Sequence, residues 1–177
     1  DEVSPAARLA EFQAGLDLLA NNPSDPAAQN DLLSRSETLV HSINKAAVEL
    51  EASRGQAGDS LVSSVGEVNA ALSDIAELNE RLALAGTDPT GTSGLMDEMN
   101  RRLDALGTQM DFQGRWEADG TLTLHTTGGT ELVHGETAVK LSANRDTGRL
   151  MAGDVDITPN SPTARGSDSG RLAGLSG

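Results

Sequence analysis

Cysteine and tyrosine are absent from this 177-residue chain, and the only aromatics are two Phe and one Trp. Without Cys there is no disulfide framework, no thiolate nucleophile and no cysteine metal site. With so few rings, any core must be built from Leu, Val, Ile, Met and Ala. Ala and Leu favour helix, and a thin aliphatic core suits elongated helical packing. Basic residues are scarce too: 13 Lys and Arg stand against 27 Asp and Glu, for a net charge of -14. Phosphate backbones and anionic lipid both call for clustered Lys and Arg. Neither nucleic acid nor a membrane surface is therefore expected as a partner, and the acidic surface reads as solvation. No apolar run approaches the roughly 20 residues that span a bilayer, and nothing reads as a cleavable signal peptide. The chain opens at Asp1 directly into a helix signal and closes on "RLAGLSG", where an apolar pattern is just starting. The expectation is a section of a longer protein, one or two small domains in size.

What is present is mostly helical. Ser4 can cap a first helix with Pro5 at its opening position, where a missing N–H costs nothing. Leu9, Phe12, Leu16 and Leu19 then recur on one helical face. "NNPSDP" ends that helix, because Asn22 precedes Pro23. Ser24 or Asp25 can cap the next, opened by Pro26. Its stripe runs Leu32, Leu39, Ile43, Ala46 and Leu50, and a second follows with Leu61, Val65, Val68, Leu72, Ile75, Asn79 and Leu82. Both are heptad-like. Gly55 and Gly58 lie between them and invite a break. The step from Leu50 to Leu61 is 11 residues, close to three whole turns, so a continuous helix keeps the stripe on one face with Ala57 on it. One helix from about Pro26 to Ala85 is expected, roughly 90 Å long. Its long stripe, beyond what the first helix covers, calls for further helices from flanking segments or neighbouring subunits.

"AGTDPTGTSG" reads as a loop. Ser93 then caps a short helix carrying Leu95, Met96, Met99, Leu103 and Leu106, with Gly107 as its stop. After it the period changes. "DFQGRWEADGTLTLHT" reads as a hairpin turning at Asp119-Gly120, with Leu122 and Leu124 on one face. Further strands are expected at Glu131–His134, Thr137–Leu141 and Leu150–Ile157, and "TPNSPTARGSDSG" is loop-like. The fold class is α+β, mainly α: a long coiled-coil-like helical rod over residues 1–107, a small antiparallel β region over 108–158, and a linker with the start of a following segment over 159–177.

No residue set carries chemistry. His41, His125 and His134 lack the spacing of metal ligands, and a shared site for His125 and His134 requires matching strand register. Asp154 and Asp156 would share one strand face, which can hold a hard cation but reads more simply as solvated. "GTDPTGTSG" has no Lys to make a phosphate loop. Glu98 and Arg102 form an i, i+4 pair. No nucleophile, base and orienter come together, so no catalysis, no cofactor and no metal are expected. Asn79 is the informative polar residue. On a heptad seam, Asn weakens packing yet fixes register and partner number; the plain alternative is a partly exposed seam position. The residues expected to serve packing and assembly are Leu39, Ile43, Leu50, Leu61, Val65, Val68, Leu72, Ile75, Asn79 and Leu82.

Four stretches carry a resemblance. They are "FQAGLDLLANNPSDPAAQNDLLSRSETLVHSIN", "SSVGEVNAALSDIAELNERL" with its Val68-Asn69 and Leu78-Asn79 pairs, "GLMDEMNRRLDALGTQMDF", and "DGTLTLHTTGGTELVHG" with the later "SDSGRLAGLSG". In order and spacing they resemble the bacterial flagellar hook-associated protein 1 family, the first hook–filament junction proteins, over nearly the whole chain. Gly55, Gly58, Met96, Met99 and Asn100 depart from the family pattern. The resemblance implies a structural, non-catalytic part of the flagellum, made inside the cell with a cytoplasmic export chaperone and exported unfolded by the type III apparatus. It implies self-association in a ring-like assembly beside the hook protein and the second junction protein, outside the cell. The terminal helices through which the family polymerises are not in this sequence, so the isolated chain is expected to be a monomer. Rival readings are another axial protein, flagellin-like or the second junction protein, and a non-flagellar acidic adhesin or binding module.

Overall fold

The computed structural model describes residues 4–86, 89–159, 161, 166 and 169–176. Their order is α1 (Pro5–Asn21), α2 (Pro26–Ala85), α3 (Pro89–Gln109), strands β1 (Phe112–Trp116), β2 (Leu122–Thr126), β3 (Glu131–His134), β4 (Thr137–Ala138), β5 (Leu141–Ala143), β6 (Leu150–Ala152) and β7 (Val155–Asp156), and α4 (Arg171–Ser176). The chain divides after Arg54 into two compact units. The boundary therefore falls inside α2, not at the change of period near residue 107. Residues 55–107 share their core with the strands.

In the first unit, α1 begins as its sequence dictates. Ser4 Oγ accepts from the Ala7 amide at 3.3 Å, with Pro5 following. Asp25, rather than Ser24, caps α2, accepting from the Ala27 amide at 2.9 Å. The two helices run antiparallel. Gly15 is buried against Arg35 and Leu32, where an added Cβ would stand 2.8 Å from Arg35 Cδ. The Arg35 guanidinium donates to the Glu11 carbonyl at 3.0 Å and pairs with Asp31 at 2.6 Å.

In the second unit, α2 continues without a break through Gly55 and Gly58. Each glycine costs a helix about 1 kcal/mol relative to Ala, so each needs a reason. The buried residue at this point is Gly58, while Ala57, expected on the packing face, is exposed. A Cβ on Gly58 would overlap the Arg145 carbonyl oxygen and stand 2.7 Å from its Cγ. Gly55 has ordinary room, 3.5 Å from Arg145 Nη2. α2 ends at Gly86 (φ 62°), whose amide reaches the Leu82 carbonyl at 3.2 Å. The helix expected from Ser93 to Gly107 is longer at both ends. Pro89 opens it, as proline does at a first helical position, and packing carries it past Gly107 to Gln109.

Two antiparallel sheets follow, in the orders β1-β2-β3-β4 and β5-β6-β7. The first hairpin turns at Gly120 (φ 84°), as read from Asp119-Gly120. The strand expected over Thr137–Leu141 is two short strands, one in each sheet. That expected over Leu150–Ile157 is a hairpin turning at Gly153 (φ 56°). The polar stretch expected as a loop beyond Ile157 lies largely outside the described residues. At its far end, Leu172 of α4 is buried in the core. One aliphatic core joins Leu61, Val65, Val68, Leu72, Ile75 and Leu82 of α2 to Met99 and Leu106 of α3, to Leu122, Leu124, Leu132, Val133, Leu141 and Leu150 of the strands, and to Leu172.

The two glycines predict substitutions of opposite sign. Gly55→Ala should stabilise by about 0.5–1 kcal/mol, through helix propensity alone. Gly58→Ala should destabilise by about 1–3 kcal/mol despite the same propensity gain, because backbone must move to admit the methyl group. Thermal melts followed by circular dichroism would separate them; equal shifts would contradict the packing role of Gly58.

Candidate assembly surface

The expected packing stripe divides into a closed part and an open part. From Leu61 to Leu82 it is closed: Leu61, Val68, Leu72, Ile75 and Asn79 are wholly buried, and Val65 and Leu82 nearly so. Strands and α3 of the same chain fill this face. The expectation that its cover must come from outside is therefore corrected for residues 61–82. Large aliphatic side chains gain about 1.5–3 kcal/mol each on burial, and here the β region supplies the matching surface.

Asn79 is neither a register-setting contact between helices nor a partly exposed seam residue. Its Oδ1 accepts from the Leu122 amide at 2.7 Å, and its Nδ2 donates to the Leu122 and Gly135 carbonyls at 2.8 Å each. The side-chain amide thus acts as a peptide unit, pairing with β2 where β3 has turned away at Gly135. Asn69 repeats the device on the other sheet. Its Oδ1 accepts from the Leu141 amide at 2.7 Å and its Nδ2 donates to the Leu141 carbonyl at 2.9 Å. β5 is the edge of its sheet, so Asn69 satisfies an otherwise free strand edge. Asn69 was not singled out as a site residue from the sequence. The available signal was its pairing with Val68, which repeats as Leu78-Asn79.

The open part lies in the first unit. Leu39 is half-buried, whereas Ile43 and Leu50 are 50% and 60% exposed. α1 sits off the centre of the α2 stripe, covering Ala28, Leu32, Leu39 and Ala46 more than Ile43. On α1 it is Phe12, Gly15 and Leu19 that turn inward, while Leu9 and Leu16 remain exposed. At about 100° per residue, Ile43 and Val40 fall on one flank of the α2 contact face. Leu9 and Leu16 fall on the same-handed flank of α1. Because the helices are antiparallel, both flanks open on one side of the pair. The result is an uncovered apolar surface of Leu9, Leu16, Val40 and Ile43, with Leu50 beyond the start of α1.

The remaining polar candidates are not brought together. His125 pairs across the sheet with Gln113 and Glu131, while His134 pairs with Thr137. Their strands adjoin, but a bulge between Leu124 and His125 shifts the register. Asp154 lies in the β6–β7 turn, and Asp156 on β7 pairs with Arg149 at 3.0 Å and accepts from Thr158. These hydrogen bonds, Thr158 first, hold the Asp156 carboxyl below its ordinary pKa. The expected shared face for a cation does not form. Arg102 bridges Glu98 of its own helix and Asp74 of α2 at 3.6 and 3.2 Å. Among the described residues, no cluster of three metal-capable side chains occurs, and no helix is long and apolar enough to cross a membrane.

Removing the Asn79 amide by Asn79→Ala leaves buried amide and carbonyl groups of Leu122 without partners, so a loss of about 2–5 kcal/mol is expected. Asn69→Ala, at a half-buried site, should cost less. Urea titrations of the two variants would measure this, and near-neutral effects would contradict the pairing described.

The model of the flagellar hook-associated protein FlgK helical domain matches residues 2–176. Flagellar hook-associated protein 1 of Escherichia coli K12 is 28% identical over 163 residues, which is 88% of this chain and 29% of that protein. The Salmonella typhimurium LT2 protein of the same name is 28% identical over 145 residues, 79% of this chain and 26% of that protein. The chain thus spans less than a third of the length of these relatives. The solved structure of the flagellar hook junction protein FlgK from Burkholderia pseudomallei shares the fold, with a TM-score of 0.78 at 23% identity over 98% of this chain and 33% of that one. The chain belongs to the FlgK helical-domain family.

Proposed function

We propose that this chain is a structural section of a flagellar axial protein that joins hook to filament, without catalysis. The observation that carries the reading is the uncovered apolar side of the α1–α2 pair, with Ile43 and Leu50 half exposed or more. Burying apolar surface is the dominant driving force of association, and a helical face of this kind is completed by further helices. In this reading those helices come from the rest of the longer protein and from further copies in a ring-like assembly. The hook protein and the second junction protein are its neighbours. A cytoplasmic chaperone delivers the chain to type III export without a cleaved signal, and its place is outside the cell on the flagellum. That similar proteins are a flagellar hook-associated protein and a flagellar hook junction protein supports the same placement. Alone, the chain is a monomer.

Antibody raised against this chain, used for immunogold labelling of flagella from the source bacterium, tests the placement. A narrow band between hook and filament is expected. Label along the whole filament would instead mean a flagellin-like subunit. A second test separates the two parts of the stripe. Ile43→Glu and Leu50→Glu should change the stability of the isolated chain by no more than about 0.5 kcal/mol, yet abolish swimming when placed in the whole protein. Leu72→Ala should cost the isolated chain about 2–5 kcal/mol. Normal motility in both charged variants would contradict an assembly role for the open face.

A further inference from the structure

We infer that the turn carrying Arg145 is a clasp that keeps α2 helical through its glycine pair, so that releasing it opens α2 locally at residues 54–60. Arg145 sits in the turn between β5 and β6. That turn is itself well held: Asn144 Oδ1 accepts from the Asp146 and Thr147 amides at 3.0 and 2.9 Å, and the Asn144 amide reaches the Arg149 carbonyl at 2.8 Å. From this rigid base the Arg145 backbone lies directly on Gly58, and its side chain runs along α2 toward Gly55. The guanidinium ends as a two-point pair on Asp59: Nε donates to Oδ1, and Nη2 to Oδ2 at 3.0 Å. The hydrogen bond from Arg145 holds the Asp59 carboxyl below its ordinary pKa.

The position of these contacts gives the clasp its effect. The α2 residues just before the glycines, Leu50 to Arg54, are all exposed. Gly58 is the first buried position of α2 within the second unit, and Leu61 follows it. Helical stability in proteins comes mainly from tertiary packing, not from propensity. A stretch with two glycines that follows a run of exposed residues is thus a weak part of α2. The Arg145 turn is what rests on it. Gly58 cannot be exchanged for a better helix former without displacing that turn, so the weakness and its remedy belong together.

Trypsin supplies a local readout, because Arg54 lies at the edge of the clasp, Lys45 in the open part of α2 and Arg81 in the closed part. Cleavage by a protease requires local opening, and in the fast-closing regime its rate tracks the population of the open form. In the 177-residue chain, Arg145→Ala should raise cleavage after Arg54 severalfold while leaving Lys45 and Arg81 unchanged. The milder Asp59→Asn should act in the same direction. Adding Gly55→Ala to Arg145→Ala should return the Arg54 rate toward that of the unaltered chain. Unchanged cleavage after Arg54 in both single variants would overturn the clasp. So would an equal rise at Arg81, which would mean that the whole second unit had loosened, or failure of Gly55→Ala to rescue.

Discussion

The pairing of Asn79 with the backbone of Leu122 is the contact on which the second unit depends. A helix has no free backbone groups along its length to offer a strand, and a strand whose partner has turned away has polar groups that cannot be left buried. A side-chain amide resolves both problems, because it carries one donor group and one acceptor in the geometry of a peptide unit. Asn79 does this for the first sheet and Asn69 for the second. Leu, Val and Ile around them can pack in several registers, since dispersion and burial are not directional. The two asparagines remove that freedom and fix which residue of each sheet meets which turn of α2.

Once the strands are seated, α2 becomes a helix of two characters. Its second half is finished: strands, α3 and α4 fill one aliphatic core with it. Its first half packs on α1, with Arg35 and Gly15 setting a close approach, and Val40, Ile43 and Leu50 stay exposed. A chain this poor in aromatic residues gains little from any single side chain. It builds stability by extending thin aliphatic contacts along a helix, and it can leave one stretch of that contact for another molecule to complete. In the proposed role that stretch is completed by further helices, and membership of the FlgK helical-domain family accords with it.

Helix placement was legible wherever local chemistry decides it. Ser4-Pro5 and Pro26 mark two starts, and the phase from Leu50 to Leu61 carries α2 across its glycines as the structure has it. The Asp119-Gly120 turn and the strand Glu131–His134 were equally plain. What the sequence did not disclose was long-range. Periodicity identifies the apolar face of a helix but not its occupant, so the same stripe predicted outside helices where the chain's own strands lie. Asn79 was visible as an anomaly on that face, yet its partner is 43 residues away. Ala57 and Gly58 could not be ranked for burial without knowing that Arg145 arrives there. Pro89 was hidden inside a Gly- and Thr-rich run that reads as a loop, and tertiary packing of Met99 and Leu106 outweighs the poor propensity of that stretch.

α2 is closed by its own chain over 61–82 and keeps one apolar side exposed at Val40, Ile43 and Leu50. Residue-resolved amide hydrogen exchange on the isolated chain tests it most directly, since protection reports the free energy of local opening. The slowest exchange in α2 is expected at residues 61–82, with exchange over residues 40–50 faster by orders of magnitude. Uniform protection along α2, or greater protection in its first half, would contradict it.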